Sequence, residues 1–340
     1  MRYAVFITSG IGNAVFLIPL IKELKKTGTV TAISTSTFDS ELVFDGFKDS
    51  LFEETIQMKR SIPTLKLLSK AFNQYDEVFI DYFGATRKNI LLASLISKKV
   101  ITSKIPVNLH DFLKRKLNLI LPRPGLNEGI QNLRYKKLDA LDELLSEEMY
   151  ALNPRKFERE IANPYITIQP GAGNNKTQWK IWPYQFWLEM IKKVVIDHPN
   201  IHVLVLGDEN DEWMKSGFAS IGDRVLILFN KTKIESLPGL LKESLLHIGG
   251  DSGLLHIAGV VGIPTLTICG GSDEDLFGWH KINSEKHHLI QKKLDCHPCY
   301  RWFLPNRTRV KNADDCPDFK CIRSITPDEV YLKVNAILSH

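Results

Sequence analysis

Asp251, Ser252, Gly253 and His256 form the stretch of this sequence with the clearest chemical content. An apolar run, residues 244–248, leads into them, and a second, 265–269, follows Gly262-Ile263-Pro264. That order reads as strand, tight turn, helix, strand. Asp251 and Ser252 are good helix N-caps, and Gly253 lets backbone N–H groups come close to a ligand. A helix start of this kind suits an anion, because free N–H groups point outward and the dipole favours negative charge. His256 falls one turn into the helix. The same residues also fit an ordinary strand-to-helix corner with a capping Asp and a half-buried His.

A second group is Cys296, Cys299, Cys316 and Cys321, spaced C-x2-C-x16-C-x4-C. Four thiolates at these spacings can close a tetrahedral site for zinc or a mononuclear iron. Arg301, Arg307, Arg309, Lys311, Lys320 and Arg323 lie near in sequence and would offset its negative charge. The alternative is four unrelated reduced cysteines.

These groups need elements to position them. Residues 3–8 read as a buried parallel strand, followed by Gly10, Gly12 and a helix through Leu17, Leu20, Ile21 and Leu24. Pro19 either kinks that helix or marks its first turn. Strand, Gly-x-Gly, helix opens a doubly wound domain, although the glycines could simply make a tight turn. Further strands are predicted at 30–34, 77–81 and 100–102, with Asp81 at a C-terminal strand end, where such sheets place ligand-contacting residues. A helix over 86–97 begins with Arg87 and Lys88, where cations oppose the dipole. Arg87 is therefore either a contact for an anionic acceptor or a solvated charge. Residues 109–121, with His110, Lys114, Arg115 and Lys116, predict an amphipathic helix that rests on an acidic membrane surface or presents a solvated face. Another helix is predicted over 133–148.

Residues 153–164 are polar, carry a proline near each end, and read as a linker. The pattern then restarts with a strand at 165–169, a turn at 170–173 and a polar loop to Lys180. A helix follows through Phe186, Met190 and Val194, then strands at 202–206 and 224–229 and a helix at 234–242. Thr326, Pro327 and Glu329 make a capping box for a last helix, with Val330, Leu332, Val334 and Ile337 on one face. The fold class is α/β: two doubly wound Rossmann-like domains, 1–152 and 165–324, facing across a cleft, plus a terminal helix at 325–340.

The chain has 340 residues and is 44% hydrophobic, enough for two such domains. A net charge of +5 and a pI near 8.8 suit anionic substrates or a membrane-surface acceptor. No long Lys/Arg block is present, so no nucleic-acid partner is expected. Four of the five cysteines crowd late in the chain, which reads as a reducing compartment. Thr8-Ser9-Gly10 interrupts the first apolar run, and no run approaches bilayer length, so a cytoplasmic protein is expected.

D-S-G-x-x-H-x-A, followed by Gly262-Ile263-Pro264-Thr265 and the Gly270-Gly271 loop, resembles the signature of glycosyltransferase family 9, which contains the ADP-heptose:lipopolysaccharide heptosyltransferases. Pro170-Gly171-Ala172-Gly173 with Lys180-Ile181-Trp182-Pro183 resembles the family's strand-loop segment ending in K-x-W-P. The resemblance implies that Lys180 contacts the donor's phosphates, with Gly12, Gly171 and Thr177 also on the donor side. A fixed ammonium there would stabilise the charge that grows on a leaving diphosphate. Gly207 with Asp211 and Glu212 resembles G-x-x-x-E, whose acid holds the nucleoside ribose. Asp251 would contact the sugar and the Gly253 end of the helix the phosphates, with Ser252 and His256 completing the set.

At the N-terminus the family has G-D and then a helix carrying a proline, where this chain has Gly12-Asn13 and Pro19. The family's Asp deprotonates the acceptor hydroxyl, and an amide lacks that basicity. Asp81 or Asp39 takes the proton instead, or Asn13 only orients an acceptor activated without a protein base, or the chain binds without turnover. The resemblance implies the GT-B type of fold, in which the final helix often crosses back to the first domain. It implies inverting transfer of a heptose or related sugar from ADP-heptose to a lipopolysaccharide core, another glycan or a protein. No cofactor is required for the reaction, the cysteine set would be structural, and the inner membrane is a peripheral contact. A non-heptose transferase or epimerase of the same fold is one alternative. A non-catalytic nucleotide-sugar or glycan binder is another.

Overall fold

The computed structural model describes residues 1–35, 39–58, 73–123, 125–137, 145–158, 161, 164–172, 178–299 and 316–339. The chain divides into two compact units, Met1–Tyr150 and Ala151–His340. Each unit carries one parallel, six-stranded sheet.

In the first unit the strands are β1 Arg2–Ile7, β2 Thr29–Ser34, β3 Glu54–Gln57, β4 Tyr75–Ile80, β5 Ser97–Thr102 and β6 Leu117–Leu119. Their order is β3-β2-β1-β4-β5-β6, so the winding reverses between β1 and β4. After its first residue β1 is buried throughout, as a central parallel strand covered on both faces must be. Two short helices follow it, α1 Ile11–Val15 and α2 Ile18–Lys25, and Pro19 sits in the first turn of α2. No intrahelical hydrogen bond is lost there, so the proline starts a helix and does not kink one. Helix α3, Arg87–Ile96, is capped by Thr86, whose hydroxyl accepts from Asn89 N at 3.2 Å.

Two predicted elements of this unit are corrected. Residues 109–121 are not one amphipathic helix: a single turn, Asp111–Lys114, precedes the edge strand β6. Leu117 and Leu119 alternate with Asn118, and that two-residue period pairs with β5. In place of a helix starting at 133, α4 spans Glu128–Leu133, and Asn127 caps it by accepting from Gly129 N. Residues 138–144 lie outside the described part, and a further turn runs Glu147–Tyr150.

The second unit has β7 Tyr165–Gln169, β8 His202–Val205, β9 Val225–Ile227, β10 His247–Gly249, β11 Thr265–Cys269 and β12 His287–Gln291. The order β12-β11-β10-β7-β8-β9 reverses between β7 and β10. Helix α5, Tyr184–Asp197, buries Trp187, Met190, Ile191 and Val194 on this sheet. Helix α6, Gly253–Val260, lies behind β10, and the last helix, α7 Pro327–Leu338, packs on α5 through Val330 and Val334. Trp182 Nε1 donates to Ile325 O at 2.8 Å, which ties the entry of α7 to the start of α5. No helix among the described residues is long and apolar enough to cross a membrane.

Candidate active site

In an open α/β sheet, ligands bind beyond the carboxyl ends of the strands where the strand order reverses. In the second unit that point lies between β7 and β10, and Asp251, Ser252 and Gly253 follow β10 directly. The Ser252 hydroxyl reaches across to Gln169 at the end of β7. Ser252 stands at the N-cap of α6 but does not bond the first turn, so the first-turn N–H groups keep facing outward.

Lys180 comes from the loop after β7. Its ammonium donates to Asp251 Oδ2 at 2.7 Å and to Asp251 O at 3.1 Å. The 3₁₀ turn that carries it, Gln178–Lys180, lies on backbone with no room for side chains. A Cβ on Gly250 would come within 2.7 Å of Lys180 O, and one on Gly270 within 1.8 Å of Trp179 O. His256 Nε2 lies 3.2 Å from Asp251 Oδ1. Burial alone would raise the Asp251 pKa, but the charge and hydrogen bond of Lys180 and the hydrogen bond from His256 outweigh it and hold the carboxyl well below the usual range. His256 is buried, not half-buried as the reading of an ordinary strand-to-helix corner had it.

Asp211 belongs to the same corner. Its carboxylate accepts from Asp208 N at 3.1 Å, closing the turn after β8, and it fills the space beside Gly171. A Cβ on Gly171 would lie 2.0 Å from Asp211 Oδ1. Burial pushes the Asp211 carboxyl up to about 6. Glu212 is exposed and sits 3.5 Å from Lys215. Thr177 lies outside the described residues.

The first unit has its reversal between β1 and β4. Thr8, after β1, donates to Asp81 Oδ1 at 3.1 Å, and Gly84 N donates to the same oxygen at 2.6 Å. Asp81 is only 2% exposed. Burial pushes its carboxyl up to about 6 against those two bonds, and Glu128, at the start of α4, is pushed up by burial and by the charge of Asp81. Gly12 and Asn13 lie half-buried in α1. The 3₁₀ turn Ser40–Gly46 packs against α1, and Ser40 Oγ donates to Ser9 O at 2.6 Å. Asp39, which heads that turn, has φ 48°, a left-handed conformation uncommon for a side-chain-bearing residue. Arg87 Nε donates to Val107 O at 2.7 Å and so holds the 104–110 loop.

The sequence model of glycosyltransferase family 9 (heptosyltransferase) matches residues 129–303, more than half of the chain. The chain belongs to that family. It is a glycosyltransferase with the two doubly wound units of the GT-B type. The ADP-heptose LPS heptosyltransferase II of E. coli superposes with a TM-score of 0.70 at 17% identity, over 99% of this chain and 98% of that one. A family 9 glycosyl transferase from Veillonella parvula gives 0.75 at 14% identity, over 99% and 97%. The iron-containing dodecameric glycosyltransferase TibC of enterotoxigenic E. coli gives 0.56 at 14%, over 100% and 78%. At these identities the likeness is one of fold. No curated protein sequence matches the chain.

In this family 9 chain all five cysteines are free thiols. Cys299 hydrogen-bonds Cys321 and holds its thiol below the ordinary value, while Cys316 and Cys296 are near enough to act on it by charge. The tetrahedral ligand set expected from the spacing is not preformed: among the described residues no group of three or more His, Cys, Asp or Glu is arranged to hold a metal ion. Arg301, Arg307, Arg309 and Lys311 lie outside the described residues. Spacing alone did not point to Gln169, Trp279 or Glu128, because their partners come from other strands and helices.

Proposed function

We propose that this glycosyltransferase moves a heptose or related sugar, with inversion, from ADP-heptose to a hydroxyl of a lipopolysaccharide core or another glycan. The observation that carries the donor side is the Lys180–Asp251 pair beside the outward N–H groups of α6. As the sugar–phosphate bond breaks, negative charge grows on the diphosphate, and an ammonium already anchored in place meets it without reorganisation. Each Asp251 oxygen already accepts one hydrogen bond and keeps a further lone pair that can accept from a sugar hydroxyl.

On the acceptor side, Asn13 orients the hydroxyl and a carboxylate takes its proton. Of the two candidates, Asp39 has the better access, since it is half-exposed on the turn packed against α1. Asp81 has the basicity but is enclosed and already accepts two hydrogen bonds. Geometry decides first for a general base, which favours Asp39. We also assign the four late cysteines to one structural metal ion, with no part in the transfer. The reaction is placed in the cytoplasm, with the 104–121 segment against the inner membrane.

Calorimetry with ADP, UDP and GDP tests the donor reading, and ADP should bind tightest. Lys180→Ala should weaken ADP by roughly tenfold or more, the worth of a charged hydrogen bond, and leave adenosine nearly unchanged. A folded protein that binds none of the three nucleotides would sink the reading. ADP release with a matched acceptor separates the base candidates. Asp39→Asn should abolish turnover with donor binding intact, whereas turnover by Asn13→Asp alone would make the natural chain a binder.

A further inference from the structure

His256 has both ring nitrogens engaged by side chains. Nε2 faces Asp251 Oδ1, and Nδ1 accepts from the indole N–H of Trp279 at 3.0 Å. An indole nitrogen donates and never accepts. Nδ1 must therefore present its lone pair, and the ring proton sits on Nε2, donated to Asp251. Asp251 in turn takes the Lys180 ammonium on its other oxygen. The chain of contacts runs from Trp279 through His256 and Asp251 to Lys180. Trp279 itself is 1% exposed and wedged over α6, where a Cβ on Gly259 would come within 2.3 Å of the indole.

We propose that Trp279 is a positioning residue of the donor site, holding His256 as the neutral Nε2–H tautomer so that Asp251 is met by one cation and one neutral donor. This inference rests on the donor reading of Lys180 and Asp251. A proton on Nδ1 would point at the indole N–H and leave two buried donors facing each other. The locked ring keeps the charges of Lys180 and Asp251 balanced as pH falls. A cationic ring would add a positive charge beside the diphosphate, and both donor binding and ADP release would then follow pH.

The other titratable groups around α6 do not supply that charge. His247 on β10 bonds Thr167 through Nδ1 at 3.0 Å, and burial lowers its pKa to about 3. Burial pushes the Cys269 thiol on β11 well above its usual range. Lys242, from the helix Leu237–Lys242 packed on α6, is held at the far end by Val261 O at 2.9 Å. Beyond Trp279, His287 of β12 lies tilted against the indole with ring centroids 5.5 Å apart and bonds Thr265 at 2.9 Å. Glu274, Asp275, His280 and Lys281 flank the Trp279 segment in sequence.

The test pairs histidine ¹⁵N NMR with ADP calorimetry on wild type and Trp279→Phe, using His256→Gln to assign the resonance. In wild type the ring should stay the Nε2–H tautomer between about pH 8 and about pH 5.5, across the ordinary histidine range. In Trp279→Phe, Nδ1 should gain a proton on the way down. ADP affinity of the variant relative to wild type should rise roughly three- to tenfold over the same interval, the size of one linked proton. Loss of packing alone would weaken binding equally at every pH. A protonated Nδ1 in wild type, or parallel pH profiles for the two proteins, overturns the proposal. The wild-type spectrum decides even if the variant does not fold. If neither protein binds ADP, the donor reading fails, while the spectrum still tests the tautomer.

Discussion

Asp81 shows how burial and hydrogen bonding compete on a single residue. Its folded pKa, about 6, lies above the unfolded carboxylate value. The native state therefore binds this proton more tightly, and the associated stability is present at low pH. It is lost as pH rises from about 4 through about 6, by about 2–3 kcal/mol. Asp81→Asn should remove that loss, because its amide oxygen can still accept from Thr8 and Gly84 but does not ionise. Urea unfolding at about pH 4.5 and about pH 8 reads the difference, and the variant should gain on wild type at the higher pH. An offset that is the same at both values would show that Asp81 does not titrate in this window. Asp81 was legible in the sequence as a strand-end carboxylate, as were Lys180, Asp251 and His256 from motif spacing. Its enclosure was not legible, because Thr8 closes on it only once β1 and β4 are adjacent. Trp279 and Gln169 were invisible for the same reason: their partners lie 23 and 83 residues away.

At the scale of elements, central strands and most capped helices were readable, while of the four edge strands only β9 was. β7 was predicted residue for residue, since continuous burial gives an unbroken apolar run. The capping box of α7 also stands as read, with Thr326 accepting from Glu329 N at 3.3 Å and Glu329 accepting from Thr326 N at 2.8 Å. β3, β6 and β12 escaped because short edge strands, wet on one side, carry little pattern. Ile105, Val107, Phe112, Leu119 and Leu121 are exposed, Val107 by 79% and Phe112 by 64%. Lys116 is occupied, donating to Ser94 O and Ser97 O, and Lys114 pairs with Asp111. Apolar insertion, not an amphipathic helix face, would then dominate any membrane contact, with Arg115 adding charge. Phe112→Ser with Val107→Ser should cut sedimentation with vesicles containing anionic lipid several-fold, more than Arg115→Gln does. Binding that follows Arg115 alone, or no binding to such vesicles, would remove the membrane from the proposed partners.

The two units repeat one architectural rule at the scale of the whole molecule: each sheet reverses its order once, and the candidate chemistry of each unit sits at that reversal. The cysteine segment follows a different logic. Cys296 and Cys299 come after β12, and Cys321 lies in the core of the second unit just ahead of α7. Cys299 also packs against Gly271, in the loop after β11, where a Cβ would come within 2.9 Å of its Sγ. A metal held by these thiols would fasten the chain entering α7 to the end of the sheet, and its binding energy would become folding energy of this unit alone. Protein purified without chelator should therefore carry one zinc or iron per chain by elemental analysis. Chelation should lower one melting transition by several degrees, since about 1 kcal/mol moves a unit of this size by roughly 2–4 °C. Cys316→Ser should reproduce that shift, while the transition of the first unit and the affinity for ADP stay where they were. Substoichiometric metal with melting unchanged by chelator would leave Cys299 and Cys321 as a hydrogen-bonded pair of thiols in an ordinary core. A loss of ADP binding that tracks metal content would instead place the metal within the donor site and overturn its structural role.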